Sequence, residues 1–410
     1  MSFSMNRRRI AFVYWPGADS ARLETMPFAI NVIERLAAAN WEVDVFLWQR
    51  SLVDYREIFS NTVRIRYKVA PKRMLYRTRP IRLARLTATF MTCMNYQCAF
   101  GLGQIGSYLG AVISVASRCP LVILNDEFPS FFGVSRLWDP LERWAAERAS
   151  VIIVPSADRI QHLTEELRLS NQGKTFVEFR NTPKVPHPLE RRDWHAQLGI
   201  PSGKRIFLTA GTLSDGMQVP EILSSVVYWP EDAVLLLHSR APEQGRGYRQ
   251  EISHLNVPGR VFWTSSVFSD KLLNSLVAHC SGCFALYRNK GPNFLLTGTS
   301  SGKLMRSLMC GSPVIASKFE SLRFVSQEGI GVQVSHPSEI PGAIEELTRN
   351  ERVYRERCLS FATQEVIREQ QSWEDLVRAL SNKIDLRKGV PQQARAEIKG
   401  VRFGGKKRVS

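Results

Sequence analysis

The sequence lacks the features that mark secreted, disulfide-stabilised proteins. Seven cysteines are scattered along the chain, an odd number without framework spacing: Cys93, Cys98, Cys119, Cys280, Cys283, Cys310 and Cys358. The N-terminal residues contain no apolar segment of the kind that a secretory signal requires. We therefore expect a cytosolic protein whose thiols are reduced and mostly buried.

A membrane-spanning run is also missing. The most apolar stretch, 90–116, carries Gln97 and Gln104 and has five glycines or serines between positions 101 and 110. A transmembrane helix needs about 20 consecutive, predominantly apolar residues. Because polar and small residues interrupt this stretch, we expect one or two packed helices here and no span.

Acidic residues are the minority charge. The chain has 38 Asp and Glu against 55 Lys and Arg, a formal net charge of +17 that favours an anionic partner. Apolar side chains interleave with a dense basic run between Arg64 and Arg85, as in segments that lie on anionic lipid headgroups. A solvated basic face over a buried stripe gives the same pattern. Residues 64–86 are therefore a candidate membrane contact, and we expect no nucleic-acid partner.

Metal and dinucleotide signatures are incomplete. Cys280 and Cys283 form one C-x-x-C without a second pair, at the entry to an apolar strand, so we expect no bound metal. Residues 101–106 read G-L-G-Q-I-G and match the dinucleotide fingerprint letter for letter. That fingerprint should follow a strand, and we predict a helical stretch before it. We therefore expect no dinucleotide and no other cofactor.

Strand and helix patterns alternate in both halves of the chain. We predict strands at 8–15, 42–48, 120–124, 151–154, 205–210, 233–238, 260–263, 282–287 and 314–316, and helices at 26–39, 139–148, 220–227, 271–279 and 372–384. A proline-rich linker, 181–193, separates the halves. The pattern predicts two doubly wound domains, 1–185 and 186–370, then a helix, 371–387, and a basic, disordered tail, 388–410.

The stretch 299–317 has the strongest local signal of a ligand site. Ser300, Ser301 and Gly302 provide N-cap hydroxyls and an unhindered backbone, and Lys303 adds positive charge at the same helix end. The first free N–H groups of this helix would point at an arriving anion. An ordinary capped αβ corner is the alternative, and the P-loop pattern G-x-x-x-x-G-K-[ST] is not met.

Several segments together resemble the GT-B glycosyltransferases, in particular glycosyltransferase family four. They are L-V-I-L-N-D-E-F-P at 121–129, W-A-A-E-R-A-S-V-I-I-V-P-S at 144–156, R-N-T-P at 180–183, T-A-G-T-L-S-D-G at 209–216 and S-G-K-L-M-R-S-L-M-C-G-S-P-V-I-A-S at 301–317. The resemblance covers most of the chain. It implies the GT-B fold, in which two Rossmann-like domains face a cleft and a C-terminal helix returns to the first domain.

The resemblance also implies site residues. Asp126 and Glu127 follow a buried strand, so either carboxylate would face the cleft and take a proton from the acceptor or orient it. A salt-bridged loop or a helix cap is the alternative for each. We predict that the donor is bound by Gly17, Gly211, Thr212, Tyr287, Arg288, Ser300, Ser301, Gly302, Lys303 and Arg306.

The sequence departs from the family at the donor site. Three positions after Lys303 the family has a Glu that holds the donor's ribose hydroxyls, and this chain has Arg306. A guanidinium cannot accept those hydrogen bonds, although it can clamp a phosphate. The family's earlier glutamate is absent as well. Either Arg288, Lys290, Lys303 and Arg306 supply the charge that holds the donor, or the chain has kept the fold and lost catalysis.

The function that the resemblance implies is sugar transfer from a nucleotide-diphosphate-sugar donor to a glycan or lipid-linked acceptor. Such a transferase needs no bound metal, because helix N-termini and cations stabilise the leaving diphosphate. The alternative from another class is a catalytically silent GT-B protein that acts as a binding partner or scaffold. A sugar-nucleotide epimerase would need a crowded set of histidines and carboxylates at the cleft, and the chain has seven histidines in all.

Overall fold

The computed structural model describes residues 9–15, 23, 26–47, 59, 61–67, 80–132, 138–170, 174–239 and 242–380. In these ranges the strands form a seven-stranded sheet and a six-stranded sheet, and all their pairings are parallel. Parallel strands are joined by crossovers, usually helical, that cover both sheet faces. Two Rossmann-like domains result, as the sequence predicted. Their boundaries stay predictions.

The first sheet has the order β3-β2-β1-β4-β5-β6-β7. Its strands are β1 (Arg9–Tyr14), β2 (Glu42–Leu47), β3 (Val63–Tyr67), β4 (Cys98–Leu102), β5 (Leu121–Leu124), β6 (Val151–Val154) and β7 (Thr175–Glu178). Its helices are α1 (Pro27–Ala38), α2 (Pro80–Met91), α3 (Gln104–Ser117), α4 (Trp138–Arg148) and α5 (Arg159–Glu166). The strand order reverses between β1 and β4, whose carboxyl ends flank the crevice where such sheets bind ligands.

The stretch 90–116 corrects one prediction. We expected packed helices, but strand β4 lies inside it and pairs with β1 and β5, followed at once by α3. The sequence G-L-G-Q-I-G therefore begins in the last two residues of β4 and continues into α3, and the helical stretch predicted before it is wrong. Its glycines have a packing role: a Cβ on Gly106 would lie 2.8 Å from Val13 O and 3.0 Å from Trp15 N.

The basic run 64–86 is divided between structural elements. Arg64 and Arg66 lie on β3, and each places its Nε beside the buried carboxylate of Asp44, at 3.0 and 3.1 Å. These two cations therefore stabilise the edge of the first sheet. Residues 68–79 lie outside the described residues. None of the helices in the described ranges is both long and apolar enough to span a membrane.

The second sheet has the order β10-β9-β8-β11-β12-β13. Its strands are β8 (Arg205–Gly211), β9 (Ala233–Ser239), β10 (Val261–Thr264), β11 (Gly282–Ala285), β12 (Val314–Ser317) and β13 (Gly331–Val334). Its helices are α6 (Trp194–Leu198), α7 (Val219–Ser225), α8 (Pro242–Glu251), α9 (Asp270–His279), α10 (Pro292–Leu295), α11 (Gly302–Met309), α12 (Phe324–Gln327) and α13 (Ile340–Arg349). Here the order reverses between β8 and β11.

The carboxyl edges of the two sheets meet. The hydroxyl of Thr299, just before α11, donates to the carbonyl of Pro155, which follows β6, at 2.8 Å. The amide of Phe128, which follows β5, donates to Oδ1 of Asn293 in α10 at 3.0 Å. Both crevices therefore open toward the seam between the domains.

The last described helix, α14 (Glu351–Leu380), corrects a second prediction. We expected a capped helix start at Ser372, but this residue lies inside α14 and its hydroxyl donates to the carbonyl of Arg368 at 3.0 Å. The helix runs from the second domain to the first, where Leu376 and Leu380 are fully buried in the core that contains β1. One long helix therefore ties the two domains together.

The glycine that closes α3 against β1 gives a first prediction. Gly106→Ala should lower the free energy of unfolding by about 2 kcal/mol, because the added methyl group meets backbone atoms that cannot move aside. Gly342→Ala is the matched control, since a Cβ at this exposed position in α13 meets nothing within 4 Å; it should raise stability by up to about 1 kcal/mol. Urea denaturation of both variants measures the difference. Equal effects of the two substitutions would contradict the packing argument.

Candidate functional site

The corner before β12 folds as the sequence suggested. A 3-10 turn, Gly298–Ser300, leads into α11, and Ser301 is the N-cap whose side chain accepts from Leu304 N at 3.3 Å. A Cβ on Gly302 would lie 3.2 Å from Asn181 Nδ2, so glycine permits the close approach of the first domain. Gly311, with φ of +74°, follows the helix. The free N–H groups at the start of α11 therefore lie at the seam between the domains.

Lys303, in the first turn of α11, is half-buried and lies beside an aromatic ring and a thioether. Its Nζ lies 4.5 Å from the ring centroid of Tyr287 and 3.4 Å from Sδ of Met217. Within the described part of the chain, no carboxylate forms an ion pair with it. Burial lowers the pKa of Lys303 to about 7. An anion bound at this corner would raise the pKa of Lys303 again and favour its charged form.

Tyr287 and the loop after β8 complete this side of the crevice. The Tyr287 hydroxyl shares a hydrogen bond with the hydroxyl of Ser301, and burial raises the pKa of Tyr287 to about 12. Gly211, with φ of +105°, ends β8 beside the exposed Thr212. Arg288 donates its backbone N–H to Gly216 O at 2.9 Å. The loops that follow β8 and β11 are thus hydrogen-bonded to each other at the carboxyl edge of the second sheet.

Two of the predicted donor-binding residues, Arg288 and Ser300, bind neighbouring protein groups in the structure, and a third lies outside the described residues. The Arg288 guanidinium forms an ion pair with Glu221 in α7. The hydroxyl of Ser300 donates to the carbonyl of Thr297 within its own turn. Gly17 lies outside the described residues. Donor binding by these three residues stays a prediction.

Arg306 turns toward α9. Its guanidinium donates to Oδ1 of Asn274 and lies 3.1 Å from Oδ1 of Asp270, both on that helix. The residue is 7 % exposed, so this charge is almost wholly buried. A glutamate at the same position would place its carboxylate beside Asp270, where like charges repel. The arginine is therefore matched to its neighbours on α9, and its predicted phosphate contact stays a prediction.

Asp126 and Glu127 lie in the loop after β5, at the carboxyl edge of the first sheet. Burial raises the pKa of Asp126 to about 6, against the effect of the nearby Arg159 cation. Burial raises the pKa of Glu127 to about 8, and the Asp126 charge adds to this shift. Burial therefore favours the protonated form of both carboxyl groups, more strongly for Glu127 than for Asp126.

Two charged residues at this edge were not predicted. Glu142 in α4 is buried and accepts from Nε2 of Gln104 at 2.9 Å, and burial raises its pKa to about 8. Arg159 at the start of α5 is buried and donates to Asp126 O at 3.1 Å. The sequence held no signal for them, since a charged residue on a helix that also carries polar residues is normally assigned to solvent.

The C-x-x-C segment is part of the second core. Cys280 and Cys283 are buried; Sγ of Cys280 donates to Leu276 O at 3.2 Å, and Sγ of Cys283 lies 3.5 Å from the Ser312 hydroxyl. Burial raises the pKa of both thiols. Among the residues that the structure describes, no group of three or more His, Cys, Asp or Glu is arranged to hold a metal ion.

Comparison with known proteins gives structural likeness without sequence similarity. Neither a protein-family profile nor a curated protein sequence matches the chain. HepE from Anabaena, solved in complex with UDP and glucose, has a TM-score of 0.66 and 17% identity, covering 91% of this chain and 100% of HepE. Sucrose-phosphate synthase from Thermosynechococcus elongatus has a TM-score of 0.65 and 17% identity, covering 96% and 100%.

A third structure shares the same architecture. WaaG, described as a glycosyltransferase involved in lipopolysaccharide biosynthesis, has a TM-score of 0.59 and 12% identity, covering 88% of this chain and 98% of WaaG. At identities this low the likeness establishes the fold alone. That fold is GT-B, with two parallel-sheet Rossmann-like domains, and this confirms the fold class expected from the sequence.

Lys303 gives a second prediction. Because burial holds its pKa near 7, the free protein at pH 8 has a mainly neutral Lys303, and a diphosphate beside it should raise that pKa. Binding of UDP, used as an anionic probe, should then take up close to one proton per site. Calorimetry in buffers of different ionisation enthalpy measures the uptake. Lys303→Met should abolish it and the exposed Lys271→Met should not; equal uptake in both variants would rule Lys303 out as the group.

Proposed function

We propose that this chain is a metal-independent glycosyltransferase that moves a sugar from a nucleotide-diphosphate-sugar donor to a glycan or lipid-linked acceptor. The observation that carries the proposal is the half-buried Lys303 ammonium at the start of α11, which lies beside a thioether and an aromatic ring and pairs with no carboxylate among the described residues. Withdrawing a cation from water without a compensating anion is unfavourable. The surroundings of Lys303 are therefore consistent with a site whose natural occupant is an anion.

The donor diphosphate would lie at the carboxyl edge of the second sheet. The N–H groups of Gly302 and Lys303, the helix dipole and the Lys303 ammonium would stabilise the negative charge that develops as the sugar–phosphate bond breaks. Tyr287 supports this arrangement, because its hydroxyl holds the N-cap Ser301 and its ring faces Lys303. The predicted second domain, 186–370, would be the donor domain.

The acceptor would lie across the seam, against the predicted first domain, 1–185. As its hydroxyl oxygen bonds to the anomeric carbon, the hydroxyl proton would pass to ionised Asp126, while the diphosphate leaves with the electron pair of the broken bond. Glu127, mainly protonated at neutral pH, would donate a hydrogen bond to the acceptor. The different pKa values of the two carboxyl groups support these different roles.

A catalytically silent GT-B protein is the second candidate, and Arg306 favours it. The guanidinium of Arg306 is committed to Asp270 and Asn274 on α9, at a position where the resembling family has a carboxylate. In this alternative the chain would bind a nucleotide or a partner without transferring a sugar. Hydrolysis of a bound donor by water separates the two candidates.

Titration with UDP-, GDP- and ADP-sugars tests the transferase proposal. We expect one class to bind, with the affinity reduced at least about tenfold by Lys303→Met, because the diphosphate loses its cation. Lys271→Met, on the exposed end of α9, is the control and should bind as the wild type does. The bound donor should be hydrolysed slowly. No binding to any of the three classes would overturn the proposal, and binding without hydrolysis or transfer would favour the silent alternative.

We also propose a peripheral contact with an anionic membrane surface on the cytosolic side, through 64–86. Arg85 in α2 is exposed, as are Met91 and Met94, with 43% and 54% of their surface accessible. Exposed methionines beside a basic segment suit an interface with headgroups. Arg64 and Arg66 would not take part directly, because they pair with Asp44.

Vesicle sedimentation tests this contact. Replacing Arg77, Arg79, Arg82 and Arg85 by glutamine should weaken binding to vesicles that contain phosphatidylglycerol, at about 1 kcal/mol for each cation near the surface. The matched control replaces four exposed arginines elsewhere by glutamine: Arg323, Arg349, Arg352 and Arg378. Equal loss of vesicle binding in both quadruple variants would mean that net charge alone explains the effect. Unchanged binding in the first variant would remove residues 64–86 from the proposal.

A further inference from the structure

One side chain of the second domain contacts the loop of the first domain that carries Asp126 and Glu127. Asn293 lies in α10, on the connection between β11 and α11. Its Oδ1 accepts two hydrogen bonds from the first domain, from Phe128 N at 3.0 Å and from Nη2 of Arg159 at 2.9 Å. Two donors that are far away in sequence therefore converge on one amide oxygen.

Arg159 extends this contact on the other side of the same loop. Its side chain is 1 % exposed, donates from Nη2 to Asp126 O at 3.1 Å, and lies with its guanidinium carbon 4.0 Å from the ring centroid of Phe128. The backbone is thus held immediately before Glu127, at the Asp126 carbonyl, and immediately after it, at the Phe128 amide. The loop that carries two titratable carboxyl groups is therefore held on both sides of Glu127.

The same connection carries the residues of the candidate donor corner. Tyr287 lies at its start, Asn293 near its middle and Ser301 at its end, and the hydroxyl groups of Tyr287 and Ser301 are hydrogen-bonded to each other. A ligand that moves or orders this connection therefore acts on the contacts of Asn293. No comparable link follows from sequence, because Asn293 and Phe128 are 165 residues apart.

We propose that Asn293 is a positioning residue that fixes the Asp126–Glu127 loop from the opposite domain and couples it to occupancy of the donor corner. Without its amide oxygen, Phe128 N and the buried guanidinium of Arg159 lose a shared acceptor, and buried donors without acceptors are unfavourable. The loop would then be free to leave its present position. The coupling to the donor rests on the proposed function, whereas the positioning of the loop does not.

Hydrogen exchange at the Phe128 amide tests the positioning directly. Asn293→Ala should accelerate exchange of this amide about tenfold in the ligand-free protein, because its acceptor is removed. Asn289→Ala is the matched control from the same connection, since its exposed side chain accepts from Gly291 N within its own loop. Unchanged exchange in Asn293→Ala, or equal acceleration in the control, would overturn the proposal. If Asn293→Ala fails to fold, the similarly sized Asn293→Leu, which also lacks an acceptor, should show the acceleration, whereas Asn293→Asp, which keeps an acceptor oxygen, should show the wild-type rate. Equal rates in these two variants would overturn the proposal.

Nucleotide binding and donor hydrolysis test the coupling. Saturating UDP should slow exchange at Phe128 in the wild type and should not in Asn293→Ala, although both bind UDP within about twofold. In Asn293→Ala, the kcat for UDP-glucose hydrolysis should fall about tenfold with little change in KM. Asn293→Asp should recover part of the rate. The acidic side of its pH–rate profile should move to higher pH, since the added carboxylate disfavours ionisation of Asp126. Equal UDP protection in both proteins would overturn the coupling. If the wild type binds GDP or ADP in place of UDP, that nucleotide and its sugar serve as the probes. A wild type that binds none of the three would count against the proposed function, while the ligand-free exchange rates would still decide the role of Asn293.

Discussion

The attachment of the α11 corner to the first domain is the constraint on which the rest of the site depends. Asn181, just after β7, donates its backbone N–H to Thr299 O at 3.1 Å and its Nδ2 to Ser300 O at 3.0 Å. Its Oδ1 accepts from Phe28 N at the start of α1. One side chain thereby holds the start of α11 against the carboxyl edge of the other sheet. The close approach requires glycine at 302, where a Cβ would meet Asn181.

This arrangement brings groups of opposite character to the two sides of the seam. On the second domain, burial favours the neutral form of Lys303, and on the first it favours the neutral forms of Asp126 and Glu127. Both sets of shifts arise from desolvation, which is the largest cause for each of the three groups. An anion at the α11 corner would shift the lysine back toward its charged form.

The second domain also shows how a buried charge is matched by its surroundings. Arg306 in α11 has its charge met by Asp270 and its hydrogen bond by Asn274, both on α9. A buried cation that kept no partner would be costly. Arg306 is therefore part of an arrangement that involves two helices, while the carboxyl pair and Lys303 lie at the seam.

The sequence by itself determined the alternation of strands and helices, the two parallel sheets and the corner at 299–317, because local periodicity, caps and glycines act over a few residues. It failed at four strands, β3, β4, β7 and β13, and at the start of α14. Polar or small residues hid the buried β4, and a capping pattern lay inside the longer helix. Only the tertiary structure decided which side chains meet at the seam. Asn293 reaches Phe128, Arg306 turns to α9, and Arg64 pairs with Asp44 because packing of distant elements sets their distances, and no pattern within one segment encodes such contacts.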